Sequence, residues 1–113
     1  MKRAYICSPL RGNIKQNINN AIAYSKYVYE RCGMIPIVPH LHALVLNDND
    51  PVQREIGRSL GLDQLLTSSD VWVFGNTLTQ GMQAEIKMAL SFNRVIHYVK
   101  DADCEEILRE YAS

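Results

Sequence analysis

Short apolar runs alternate with longer stretches whose apolar residues recur every three or four positions. This alternation restricts the chain more than any other feature of its sequence. The runs are Arg3–Ser8, Met34–Val38, Asp70–Gly75 and Val95–Val99. Each has the length of a strand and is bounded by turn-forming residues. Between the first two, Asn13 is placed to cap a helix. There Ile14, Ile18, Ala21, Ile22, Ser25, Val28, Tyr29 and Cys32 share a face, and Gly33 stands where a C-terminal glycine belongs. Asp50 before Pro51, with Gln53 three positions on, forms an N-cap and capping box for a helix to about Thr67. A third helix starts at Gln80 or Gly81 and ends near Phe92. A second capping box, Asp103 to Glu106, opens a terminal helix that runs to Tyr111. Leu41–Leu46 is compatible with a short helix or an extended piece, and Asn47 to Asp50 reads as a polar loop.

Strand and helix therefore alternate four times. That order implies a parallel sheet with helices on both faces, and right-handed crossovers leave few topologies. The expected fold is α/β: a three-layer α/β/α sandwich around a four- to five-stranded parallel, Rossmann- or flavodoxin-like sheet. Its strand order is 2-1-3-4, with the switch point between strands 1 and 3. Pro36 places the second strand near an edge or at a strand start. With 113 residues and no repeat or linker, the chain reads as a single domain over 1–113.

Charge and composition exclude several roles. Twelve basic residues balance twelve acidic ones, so no net field draws the chain to nucleic acid or a membrane. No apolar run approaches the ~20 residues of a membrane span. The N-terminus leads straight into a polar loop and reads as a strand, not a signal peptide. Cys7, Cys32 and Cys104 are odd in number and lack metal-site spacing. They read as free thiols in a reducing cytoplasm. No metal or cofactor is expected.

In a parallel sheet the carboxyl ends of the strands share one edge, and ligands bind in the crevice there. Three segments fall on that edge: Ser8-Pro9-Leu10-Arg11-Gly12-Asn13, Pro39-His40-Leu41-His42, and Gly75 through Glu85. In the first, Gly12 permits a tight turn, exposed amides before a helix can hold a phosphate, and Arg11 offers a cationic fork. The same composition also makes an ordinary βα turn. Glu85 is read in or near the first turn of its helix, where the dipole favours its ionised form. First-turn glutamates are common for that reason alone. Asp63 shares a face with Ile56, Leu60 and Thr67; it either reaches solvent or points at a site. Asp70 opens the third strand at a junction and reads mainly as a turn residue. His40 and His42 lack a third metal ligand at sensible spacing and read as satisfied histidines. Tyr5 lies on the same side of its strand as Cys7.

Taken together, these segments resemble the nucleoside 2-deoxyribosyltransferase-like family, which includes 2′-deoxynucleoside 5′-monophosphate N-glycosidases. The resemblance rests on Tyr5-Ile6-Cys7-Ser8-Pro9-Leu10-Arg11-Gly12, on Asp70-Val71-Trp72-Val73-Phe74-Gly75, and on Gly81-Met82-Gln83-Ala84-Glu85-Ile86 with Ala89. It implies an enzyme acting on the N-glycosidic bond of a nucleoside or nucleotide, with Glu85 as nucleophile, Asp63 as proton donor and Tyr5 as the group that positions Glu85 or the sugar. Ser8, Arg11 and Gly12 would hold a 5′-phosphate, and His40, Asp70, Gly75, Gly81 and Met82 would complete the binding site. A homodimer is implied too. Two departures stand out. The family's second aspartate falls on Leu62, one position from Asp63, and the loop Asn76 to Gln80 has no acid. The alternative is a protein that binds a nucleotide or a nucleotide-derived signal without chemistry.

Overall fold

The computed structural model describes residues 1–112. Four strands, β1 (Arg3–Cys7), β2 (Ile35–Ile37), β3 (Asp70–Phe74) and β4 (Val95–Val99), form one sheet in the order β2-β1-β3-β4. All pairings are parallel, with Tyr5 beside Ile37 and Val71, and Phe74 beside Val99. The helices are α1 (Ile14–Cys32), α2 (Pro51–Leu66), α3 (Gln80–Ser91) and α4 (Asp101–Tyr111). The topology expected from the alternation is the one observed. Pro36 sits in the three-residue edge strand, where a missing backbone N–H costs no ladder bond. Among the described residues, no helix is long and apolar enough to cross a membrane.

Strand periodicity divides the core into two halves. Successive side chains of β1 point to opposite faces. Ala4 and Ile6 therefore join Tyr24, Val28, Phe74 and Ile107 beneath α1 and α4. Tyr5 and Cys7 join Leu65, Val71, Val73, Met82 and Ile86 beneath α2 and α3. Every residue from Ala4 to Cys7 is buried, as expected for a central strand covered on both faces. An aliphatic side chain as enclosed as Leu65 contributes about 2–5 kcal/mol when truncated to alanine. This division brings Tyr5, Cys7 and α3 together on one face.

Local signals fix most helix ends. Asn13 accepts from the Gln16 amide at 3.2 Å, and Gly33 closes α1 at φ 67°. Asp50 accepts from the Val52 and Gln53 amides. Gln53 does not close a capping box on Asp50; it accepts instead from the Asn47 amide at 2.8 Å and folds the polar loop onto α2. Leu41–Leu46, left open by its pattern, belongs largely to a 3-10 helix over Pro39–Leu44. The terminal helix starts at Asp101 rather than Asp103, and Lys100 gives it no side-chain cap. Asp101 accepts from the Asn76 amide at 2.6 Å, and Asn76 Oδ1 accepts from the Asp101 amide at 3.1 Å. This reciprocal pair ties the β3 loop to α4 and replaces a local cap.

Candidate active site

Above the carboxyl end of β1, between the 3-10 helix, α2 and α3, lies a cavity of about 400 Å³. Its floor comes from β1 and α3. Thr79 caps α3 by accepting from the Met82 amide at 3.2 Å, and this sets the helix phase. Met82, Ile86 and Ala89 then face the sheet, with Glu85 between them at the cavity wall. Glu85 lies in the second turn of α3, whose first turn has no acid. The helix dipole, strongest at the first turn, is therefore not what sets its charge.

Two donors from β1 reach Glu85. The Tyr5 hydroxyl donates to Oε2, and the Cys7 thiol lies 3.6 Å from Oε1. They can do so because residues i and i+2 of a strand share a face. Burial pushes the Glu85 carboxyl up from its ordinary 4.5 to about 7, while the hydrogen bonds from Tyr5 and Cys7 pull it down. Burial, followed by the Glu85 charge, pushes both Tyr5 and Cys7 well above their ordinary values. Both groups stay protonated and serve as donors. The arrangement is a partly desolvated carboxylate, held at both oxygens, facing an open cavity.

The rest of the wall is mixed. Ser8 and His40 are buried. His40 Nε2 lies 2.9 Å from the Ser8 carbonyl and 3.0 Å from its hydroxyl. A carbonyl only accepts, so Nε2 carries the hydrogen. Burial lowers the His40 pKa, against the opposing effect of the Ser8 and Pro9 backbone. Arg11 pairs with Asp48 across the cavity mouth at 3.3 Å. His42 bonds Gln64 Oε1 at 3.0 Å. Arg54, Gly57, Arg58, Gly61 and Leu62 present one face of α2 to the cavity. Gly61 leaves the room that the Tyr5 hydroxyl needs: a Cβ there would stand 3.3 Å from that oxygen.

Of the residues proposed from sequence, Tyr5, Ser8, Arg11, His40, Gly81, Met82 and Glu85 surround this cavity. Four others lie elsewhere. Gly12 shapes the loop at φ 100°, a backbone region that favours glycine, without lining the cavity. Gly75, also at φ 100°, borders a smaller cavity of about 290 Å³ that includes Asp101, Tyr24 and Phe74. Asp63 is exposed on α2 and lines neither cavity. One residue along a helix turns the side chain by about 100°, so Leu62 faces the cavity and Asp63 faces solvent. Asp70 lies at the opposite, amino-terminal edge of the sheet. It is buried there, accepting from Ser69 at 2.6 Å and pairing with His97 at 2.7 Å. Burial raises its pKa, but the bonds from His97 and Ser69 outweigh that and leave it below the ordinary aspartate value. Asp70 ties Ser69 to His97 at that edge and does not line the cavity.

Sequence reasoning missed the α2 wall and the contact of Cys7 with Glu85. The wall had a signal in Arg54, Arg58 and Leu62 beside glycines at 57 and 61, four apart. Cys7 had none beyond its strand phase.

No curated protein matches this chain. Among solved structures it is similar to a 2-desoxiribosyltransferase from Leishmania mexicana, with a TM-score of 0.59 at 15% identity. The likeness covers 88% of this chain and 65% of that one, so this chain spans just under two thirds of its neighbour's length. At that identity the likeness is one of fold: a parallel α/β sheet of order 2-1-3-4 with helices around it. A family model described as "Domain of unknown function (DUF7768)" matches residues 2–99. With most of its length inside that match, the chain belongs to the DUF7768 family.

Proposed function

We propose that the protein cleaves or exchanges the N-glycosidic bond of a (deoxy)nucleoside or nucleoside 5′-monophosphate, with Glu85 as nucleophile. The observation that carries this reading is the Glu85 carboxylate, held by Tyr5 and Cys7 at the wall of a nucleotide-sized cavity. The fold shared with a 2-desoxiribosyltransferase supports it. In this reading a Glu85 oxygen attacks C1′, the C1′–N bond breaks, and its electron pair leaves with the base. Water or a second base then attacks C1′ and returns the carboxylate, following the logic of retaining glycosidases. Tyr5 stays protonated throughout and holds Glu85. Arg11 sits at the mouth, where a charge-assisted fork suits a 5′-phosphate. Asp63 is too far around α2 to protonate the departing base in a single chain. The cavity wall holds one other carboxylate, Asp48, and it pairs with Arg11. In this reading the base takes its proton from solvent.

That missing acid favours a second reading: a protein that binds a nucleotide or a nucleotide-derived signal without turnover. One experiment decides between them. Wild type and Glu85→Gln are incubated with a panel of 2′-deoxynucleosides and their 5′-monophosphates, and free base and ligand affinity are measured. The enzyme reading expects base release that Glu85→Gln abolishes while affinity stays within a few-fold, because the lost interaction belongs to the transition state. Tight binding with no base released by wild type would establish the second reading instead.

We read the chain as one domain that pairs with a second copy. Val52, Ile56 and Leu60, on the outward face of α2, are 70%, 47% and 41% exposed. Exposed apolar stripes of this kind mark association surfaces. The free thiols Cys7, Cys32 and Cys104 fit a reducing, cytoplasmic setting.

A further inference from the structure

Glu85 has two carboxylate oxygens, and the hydrogen bonds to them come from different chemical groups. Oε2 takes the Tyr5 hydroxyl, and the Cys7 sulfur lies 3.6 Å from Oε1. Cys7 is fully buried in the half-core shared with Met82 and Ile86. Its one other acceptor, the Met82 carbonyl, is farther away at 3.9 Å. The geometry points to Cys7 as a positioning residue: its thiol holds Oε1 as Tyr5 holds Oε2, so the carboxylate plane is fixed from both sides.

The terminal torsion of a glutamate is broad and roughly two-fold, so a single donor leaves the carboxylate free to rock about it. A second donor on the other oxygen removes that freedom. A buried thiol is also a weak donor. It orients Oε1 while drawing little electron density from it, which suits an oxygen meant to attack or to take up a proton. Finally, position 7 is set by strand phase. Two residues after Tyr5, its side chain must enter the same half-core, so a polar group there meets Glu85 without any rearrangement.

Other charged or titratable groups face the cavity without bonding to Glu85. These are Arg54 and Arg58 from α2, Arg11 and Asp48 from the loops, and His40 and His42 from the 3-10 helix. Lys87, on α3 itself, is exposed. Cys7 and Tyr5 are the groups that bond the carboxylate, so a change at Cys7 is read directly in the titration of Glu85.

This inference deepens the proposed role of Glu85, but its test needs no turnover. The protein is labelled at the glutamate side-chain carboxyl carbon, and Glu85→Gln identifies the Glu85 resonance. That resonance is then titrated by NMR in wild type and in Cys7→Ala, Cys7→Val and Cys7→Ser. Removing the donor should move the midpoint up by about half a pH unit in both the Ala and Val variants. Cys7→Ser keeps a donor, and a stronger one, so its midpoint should lie at or below that of wild type. Val restores volume without a donor and Ser restores a donor without bulk, so the series separates hydrogen bonding from packing. An unchanged midpoint in Ala and Val would overturn the inference. So would a wild-type midpoint in Val with Ser displaced upward, which would make Cys7 a packing residue. If wild type releases no base from any substrate, the glycosidase reading falls while this titration still stands.

Discussion

Glu85 occupies surroundings that favour its protonated form, and its stability should follow. Its folded pKa, about 7, lies above the ordinary 4.5 because burial outweighs the bonds from Tyr5 and Cys7. A group raised in this way contributes its full stability below the unfolded pKa. It loses that contribution as pH rises through the folded value. The ionised form should therefore cost on the order of 3 kcal/mol by pH 8. Glu85→Gln, which cannot ionise, should melt several degrees above wild type at pH 8 and close to it at pH 5. Equal differences at the two pH values would show that burial does not set this carboxylate. A second outcome concerns Arg11, which Asp48 holds at the mouth. Arg11→Ala should weaken nucleoside monophosphate binding tenfold or more and barely alter nucleoside binding. Asp48→Asn frees the guanidinium and should tighten monophosphate binding. Calorimetric titration with both ligand types checks each change. At this scale the sequence showed the candidate residue types but not their surroundings. Glu85 was visible as a helical glutamate, and its second-turn position and burial came only with the fold.

Elements follow their local signals where partners are near in sequence and depart from them where partners are distant. Asn13, Asp50 and Thr79 cap their helices with bonds to amides two or three residues on, and such bonds form in any tertiary setting. Asp103 and Glu106 suggested a cap as well, but Asp101 bonds Asn76 instead and α4 begins two residues earlier. In α2, periodicity marked Ile56, Leu60, Asp63 and Thr67 as one face, and that face is real. Tertiary packing turns it outward and gives the inner side to Gly57, Gly61, Leu62 and Leu65. Gly61 tests this arrangement. A helical Gly→Ala change usually stabilises by up to ~1 kcal/mol. Here the new Cβ would stand 3.3 Å from the Tyr5 hydroxyl and 3.6 Å from Pro39 Cβ. Gly61→Ala should therefore leave the melting temperature within a few degrees of wild type while displacing Tyr5 from Glu85. Under the proposed glycosidase function, base release should fall at least tenfold. Unchanged release would show that Tyr5 has slack at this contact.

Across the whole molecule, the outward stripe of Val52, Ile56 and Leu60 leads to an expected dimer. Ile56→Glu places a charge at its centre without touching the cavity. It should convert dimer to monomer in light scattering at tens of micromolar while the circular dichroism spectrum stays unchanged. A wild type that is already monomeric would end that reading. The sequence by itself determined the fold of this protein. The alternation of strand and helix patterns, the caps and the crossover rule leave one economical topology, because these signals act over a few residues and need no distant partner. It also determined that Ser8, Arg11, His40 and Glu85 share one edge, since parallel strands end together. Only the tertiary structure decided which carboxylates meet. Asp63 and Leu62 differ by one position in sequence and by a quarter of a turn on α2, and the packing of α2 against α3 sends one to solvent and the other to the cavity. It also decided the state of Glu85, because desolvation depends on atoms from β1, α2 and α3 that no local pattern brings together.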